Sequence, residues 1–292
     1  MLTITHLTKH YGDKTAVDDL SLTVPPGAIT GFIGRNGAGK TTTLRSAAGI
    51  LDFDAGVITI DGHDVRTDPV SAKRVTAFLP DNPDLYEFMS GLDYLSFIAD
   101  IYGIPATSRR SLIERYATAY GIDGDLGSSV GSYSHGMKQK LALVSAFIRT
   151  PRLLMLDEPF VGLDPVAAHR LKGDLRSLCD AGGAVLFSTH ILEVAQALCD
   201  NIAIISAGRL VVSGPTSSVV GDSSLEKVFL DLQGDSAGAA PSGGAPHTTT
   251  TPLRDRPRTS AAAASQRLKV SGWASSEGRS SSAQASNSSA AA

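Results

Sequence analysis

The stretch that most restricts this chain is Gly34-Arg35-Asn36-Gly37-Ala38-Gly39-Lys40-Thr41-Thr42, a G-x-x-x-x-G-K-[ST] loop. It follows Ala28-Ile29-Thr30-Gly31-Phe32-Ile33, an apolar run with β-branched residues that reads as a strand. It leads into Thr42-Thr43-Leu44-Arg45-Ser46-Ala47-Ala48, which contains no breaker and reads as a helix. A loop between strand and helix is the setting the motif needs. The helix N-terminus adds unpaired N–H groups and a positive dipole end to the amides that the loop curls around an anion. Gly34, Asn36, Gly37, Ala38, Gly39, Lys40, Thr41 and Thr42 are therefore candidate phosphate contacts. Lys40 brings a compact charge to the terminal phosphates and Thr41 a hydroxyl suited to Mg²⁺.

The second chemical feature lies far downstream. Arg152-Leu153-Leu154-Met155-Leu156-Asp157 is a continuous apolar run closed by an acid, as expected of a parallel strand buried on both faces, and Glu158-Pro159 follows. At a strand end beside a phosphate loop, Asp157 would hold the Mg²⁺ that Thr41 touches. Glu158 would orient and deprotonate an attacking water. The nucleotide expected here is a Mg-nucleoside triphosphate.

Around these two points the sequence alternates in character. Residues 2–7, 15–17, 20–24 and 56–62 read as strands of a small antiparallel sheet beside the nucleotide core, with Pro25-Pro26-Gly27 as a turn into the strand before the loop. Residues 75–79 are a buried-strand candidate that stops at Pro80-Asp81-Asn82-Pro83. Three helical patterns follow, Leu92 to Tyr102, Leu112 to Tyr120 and residues 136–149, so that about 86–150 reads as a helical insertion. After the acidic strand, a helix over 166–181, a strand over 184–189, a helix over 191–198 and a strand over 202–206 argue for a parallel α/β sheet. The fold class expected is α/β, a P-loop core with an antiparallel β subdomain and a helical subdomain.

Composition narrows the partners. Net charge is −3, but residues 1–234 carry −6 and the remainder +3, and an acidic body is a poor sequence-independent binder of nucleic acid. No apolar run approaches the roughly 20 residues needed to cross a bilayer. Met1-Leu2-Thr3-Ile4-Thr5-His6 has neither a basic region nor an apolar one, so no secretion is expected. Cys179 and Cys199 lack metal-like or redox-like spacing and read as reduced thiols of a cytosolic protein. From 234 to 292 the chain is rich in Ala, Ser, Gly, Thr and Pro, a composition expected to be disordered, with contact to an anionic membrane surface and a dispensable extension both open.

Further motifs, in order and spacing, identify a family: residues 1–233 resemble an ATP-binding cassette (ABC) ATPase. Tyr133-Ser134-His135-Gly136-Met137 stands at the signature position, Gly162-Leu163-Asp164-Pro165 matches the D-loop, which makes Asp164 a candidate nucleotide contact, and Ser188-Thr189-His190 matches the switch-histidine segment. Tyr11 stands where the family stacks an aromatic ring on adenine, although an edge-strand tyrosine packed on the core is the other reading. The resemblance implies a dimer in which each ATP lies between one subunit's phosphate loop and the other's signature segment. Ser134, at a helix N-terminus, would offer its hydroxyl and nearby amides to the γ-phosphate, besides serving as an N-cap. Gly136 would permit close approach, and His190 would contact the γ-phosphate.

Two departures matter. Tyr133, His135 and Met137 replace the usual Leu, Gly and Gln of the signature. Asp81 stands in the loop that normally carries Gln, where it can bind Mg²⁺ or its water but cannot donate an amide hydrogen bond. Both resemble prokaryotic cassettes paired with separately encoded exporter permeases. The expected function is thus an ATP-hydrolysing transport subunit, peripheral on the cytoplasmic membrane face through a separate transmembrane permease that moves a solute outward. The alternatives are a soluble ABC-type ATPase acting on ribosomes or DNA, and a cassette that binds ATP without turnover.

Overall fold

Strands β1 (Leu2–Tyr11) and β2 (Lys14–Val24) form an antiparallel hairpin in a computed structural model that describes residues 1–237 of the chain. The two runs expected at 15–17 and 20–24 are one strand. It is interrupted by a bulge at Asp19, whose φ is 53° and whose carboxylate meets His6 Nδ1 at 2.6 Å. Strand β4 (Ala55–Ile60) pairs with β1, and the short β5 (His63–Asp64) pairs with β4, giving an antiparallel sheet of order β2-β1-β4-β5. The expected small antiparallel sheet is therefore present.

The larger sheet has the order β10-β9-β3-β8-β7-β6. Its strands are β3 (Ile29–Ile33), β6 (Thr76–Leu79), β7 (Leu153–Asp157), β8 (Ala184–Thr189), β9 (Asn201–Ser206) and β10 (Arg209–Pro215). All pair in parallel except β10, which runs antiparallel to β9. Successive side chains of a strand point to opposite faces, and the core divides accordingly. Leu154, Leu156, Val185, Phe187, Ile202 and Ile204 enter one apolar cluster with the helices of the insertion. Leu153, Met155, Leu186, Ala203 and Ile205 enter a second one with Leu2, Ile4, Leu22 and Ile58 of the antiparallel sheet. Burial on both faces explains why these strands read as unbroken apolar runs, each large side chain contributing roughly 1.5–3 kcal/mol.

Helix α1 (Lys40–Ala47) follows β3, and α2 (Pro69–Val75) precedes β6. The latter is absent from the sequence reading, although its signals are present: Asp68 accepts from Ser71 N as an N-cap and Pro69 occupies the first turn. The insertion between β6 and β7 contains α3 (Gly91–Ile101), α4 (Ala106–Tyr120) and α5 (His135–Phe147). It is tied to α6 (Pro165–Asp180) where Tyr120 Oη donates at 3.0 Å to the buried Asp174, which Arg170 also pairs with at 2.9 Å. Helices α7 (Leu192–Leu198), α8 (Thr216–Val220) and α9 (Leu225–Ala237) complete the described chain. Helix α9 crosses the boundary expected at 234, and the rest of the expected disordered tail lies outside the described residues. Cys179 and Cys199 are free and buried, and burial raises both thiols, Cys179 to about 11. No helix among the described residues is long and apolar enough to cross a membrane.

Candidate active site

The carboxyl ends of β3, β7 and β8 meet at one edge of the parallel sheet, where the strand order places β3 between β8 and β9. The phosphate loop leaves β3 there and enters α1 at Lys40. Gly39, the N-cap of α1, has φ 109°, and a Cβ at this position would lie 2.5 Å from the Ala16 carbonyl oxygen, so only glycine fits. Lys40 is buried and donates to Gly34 O at 2.8 Å, which folds its ammonium back over the loop.

The loop is braced from outside by the β9–β10 turn, Ala207-Gly208, both with positive φ as a two-residue hairpin connection requires. Gly208 N donates to Ala38 O at 2.9 Å, while Gly208 O accepts from Asp18 N of β2 at 2.9 Å. The strand expected over 202–206 runs into this turn, whose signal in the sequence is Gly208 ahead of the apolar Leu210-Val211-Val212.

On β7, Asp157 is 2% exposed and links helix α1 to strand β8: Thr41 Oγ1 donates to its Oδ2 at 2.6 Å and Ser188 Oγ donates to its Oδ1. Glu158 follows with φ 49°, a costly left-handed conformation for a non-glycine residue, fixed by hydrogen bonds from its N–H to Ser188 O at 3.2 Å and Ser188 Oγ at 3.0 Å. Its carboxylate lies between Lys40 Nζ at 3.5 Å and His190 Nδ1 at 2.9 Å. Residues brought together from α1, β7, β8 and the positions just after those strands thus form one chain of contacts, Thr41 to Asp157 to Ser188 to Glu158 to His190. Ser188 enters the sequence reading only as part of a motif, and its bridging role depends on pairing between β7 and β8 that the sequence does not display.

These groups open into a cavity of about 420 Å³ lined by Tyr11, Asn36, Gly37, Gly39, Lys40, Thr41, Thr42, Asp81, Asp157 and Glu158. Lys14, Ala16 and Arg35 also line it and were not singled out in sequence. Tyr11 stands half-exposed at the β1–β2 hairpin, opposite Lys14, with Lys9 Nζ 5.4 Å from its ring centre, so it is not packed into the core. Asp81 lies on the wall after β6, its Oδ1 accepting from Asn82 N at 2.9 Å.

Six residues expected to touch a nucleotide are not on this cavity's wall: Gly34, whose carbonyl accepts from Lys40, His190, which meets the wall through Glu158, and Ala38, Asp164, Ser134 and Gly136, the last two expected at a second copy's nucleotide. Ala38 faces inward, its N–H donating to Arg35 O at 3.1 Å, so its amide is already engaged. Asp164 caps α6 by accepting from Ala167 N at 2.8 Å and pairs with Lys140 at 2.5 Å; those two partners hold its carboxyl below the usual range. Ser134 and Gly136 also lie outside this cavity, at the N-terminus of α5, where exposed Ser134 Oγ accepts from Met137 N at 3.3 Å. Tyr133 is buried beneath them and donates to Asp125 O at 2.7 Å, so it acts as a core residue.

The donor set suits Mg²⁺. Thr41 and Asp157 offer one hydroxyl and one carboxylate, and no group of three or more His, Cys, Asp or Glu side chains among the described residues forms a metal cage. A hard cation held by them would take its remaining oxygens from phosphate and water, as Mg²⁺ bound with a nucleotide does.

A phosphate loop on a parallel sheet, an acidic strand end and a cavity of nucleotide size define a P-loop nucleoside triphosphatase. The family model described as ABC transporter matches residues 17–161. ABC transporter ATP-binding protein NatA of Bacillus subtilis (strain 168) is 34% identical over 224 residues, 75% of this chain and 91% of its own length. Nod factor export ATP-binding protein I of Burkholderia orbicola (strain AU 1054) is 35% identical over 212 residues, 73% of this chain and 70% of its own length. A solved structure described as the ATP binding subunit of an ABC transporter superposes with a TM-score of 0.77 at 31% identity, covering 80% of this chain and 99% of that one. The chain belongs to the ABC transporter family and is an ATP-binding ATPase subunit of it.

Proposed function

We propose that this subunit drives export through a separate transmembrane permease, closing as a dimer on ATP and opening after hydrolysis at the membrane's cytoplasmic face. The observation that carries the catalytic part is the Glu158 carboxylate, held between Lys40 and His190 at the mouth of the phosphate-loop cavity. Lys40 neutralises the terminal phosphates; Thr41 and Asp157 would hold Mg²⁺, which would supply charge screening at those phosphates. Glu158 accepts the proton of the attacking water. His190 orients Glu158 and senses the γ-phosphate. Ser134 and Gly136 of a second copy close over the nucleotide, a role favoured by their outward-facing place at the start of a 13-residue helix.

Export and the permease are supported by the named export role of the Burkholderia relative and by the acidic body, which disfavours ribosomes or DNA as partners. Affinity purification of the tagged full chain from membranes is expected to recover a polytopic membrane protein encoded nearby, whose substrate stimulates ATP hydrolysis. Recovery with ribosomes or DNA instead would favour the soluble alternative.

Tyr11 and Asp81 give separate tests. Base stacking contributes roughly 1–3 kcal/mol, so Tyr11→Ala should weaken ATP binding about 5- to 150-fold while leaving tripolyphosphate binding within about twofold. Equal loss for both ligands would assign Tyr11 to the fold. If Asp81 positions the metal or its water, Asp81→Ala raises the Mg²⁺ concentration for half-maximal hydrolysis roughly tenfold. An unchanged Mg²⁺ titration removes it from the metal's surroundings.

A further inference from the structure

The 159–164 loop directly after Glu158 is fastened on two sides. Toward the sheet, the Phe160 ring meets Phe187 edge-on at 5.7 Å. Toward the insertion, Gln139 Nε2 of α5 donates to Pro159 O at 3.2 Å and Lys140 Nζ pairs with Asp164 Oδ2 at 2.5 Å. Contact between helix and loop is close: a Cβ at Gly162 would lie 3.1 Å from the His135 ring and 3.3 Å from Gln139 Oε1, and one at Gly136 would lie 3.0 Å from Gly162 O. Gln139 is 4% exposed, and its Oε1 has no hydrogen-bond partner among the described residues. Burying an unpaired amide oxygen costs roughly 1–3 kcal/mol, a cost that a purely apolar side chain at this helix position would avoid.

We propose that Gln139 and Lys140 are positioning residues for Glu158, acting through the 159–164 loop. A left-handed residue such as Glu158 stays in place only where its surroundings over-determine it. Upstream, Ser188 fixes its N–H; downstream, Val161 N donates to Glu158 O at 3.2 Å, which makes the Glu158 carbonyl part of the fastened loop. Releasing Pro159 or Asp164 frees that carbonyl to rotate and carries the carboxylate away from Lys40 and His190. The helix whose N-terminus bears Ser134 thereby sets the geometry of the same chain's Glu158. This rests on Glu158 being the group that activates water.

Purified full-length chain with Gln139→Leu, Lys140→Met or Lys140→Arg, and Glu158→Gln as the reference, tests it through kcat and ATP Kd measured together. Gln139→Leu and Lys140→Met are expected to lower kcat roughly tenfold with ATP Kd within about twofold, as displacement of a reacting group does. Lys140→Arg, which keeps the ion pair, restores kcat to within about twofold. Unchanged kcat in both variants overturns the proposal, as does a Kd that rises in step with the loss of kcat or a Lys140→Arg chain as slow as Lys140→Met. Should Gln139→Leu not fold, the partly exposed Lys140 pair decides alone. If Glu158→Gln itself hydrolyses ATP at the full rate, the reading of Glu158 fails and the proposal with it; if Glu158→Gln is inactive and the others are unaffected, only the proposal fails.

Discussion

Glu158→Gln is expected to lower ATP hydrolysis by roughly 10²–10⁴-fold while ATP still binds, the loss typical of removing a general base. The substitution keeps the shape of the side chain and removes its capacity to take a proton. Lys40 keeps its hydrogen bond to the loop at Gly34 O, and Thr41 keeps its bond to Asp157, so the phosphates keep their site. Phosphate release and equilibrium ATP binding measured on the same preparation separate the two effects. Equal phosphate release by variant and wild type would sink this assignment and leave the water without an identified base.

A second large effect is expected at Gly39, where Ala changes only one methyl group. Its Cβ would stand 2.5 Å from Ala16 O and 3.2 Å from the Ile205 side chain, on a backbone with φ 109°. Conformational strain and overpacking of the cramped site together cost roughly 2–5 kcal/mol. For a domain of this size that lowers Tm by roughly 5–15 °C, and a loop that shifts to relieve the clash carries its amides away from the phosphates. Gly37 is the control: its φ is 80° but nothing lies within 4 Å of an added Cβ, so Gly37→Ala meets strain without a clash. Thermal unfolding and ATP titration of the two variants should rank Gly39→Ala well below Gly37→Ala; matching values would show that the Ala16 contact carries no weight.

Much of this site is legible in the sequence. The phosphate loop announces itself by glycine spacing and the strand before it, and β7 by an apolar run closed by Asp157. The order β10-β9-β3-β8-β7-β6 was not visible, because nothing local in Leu153-Leu154-Met155 says which strand lies alongside. For the same reason Ser188 as the bridge between Asp157 and Glu158, and Lys14 on the cavity wall, emerge only once strands are paired. Asp164 shows the converse. A D-loop motif drew attention to it as a nucleotide contact, yet within its own chain its carboxylate serves α6 and Lys140. Tyr133 likewise stands at a signature position but buries its ring, since its hydroxyl finds the Asp125 carbonyl.

The hydrogen bonds of Gly208 to Ala38 and Asp18 join the phosphate loop to the sheet that carries Tyr11. The two ends of the cavity are therefore parts of one frame, and the span between Tyr11 and Lys40 is set as the chain folds. If Tyr11 receives the base, such a cleft would act as a gauge for molecular length. A ligand that reaches both ends meets contacts already spaced for it and bears little ordering cost, whereas one that is too short must give up one end.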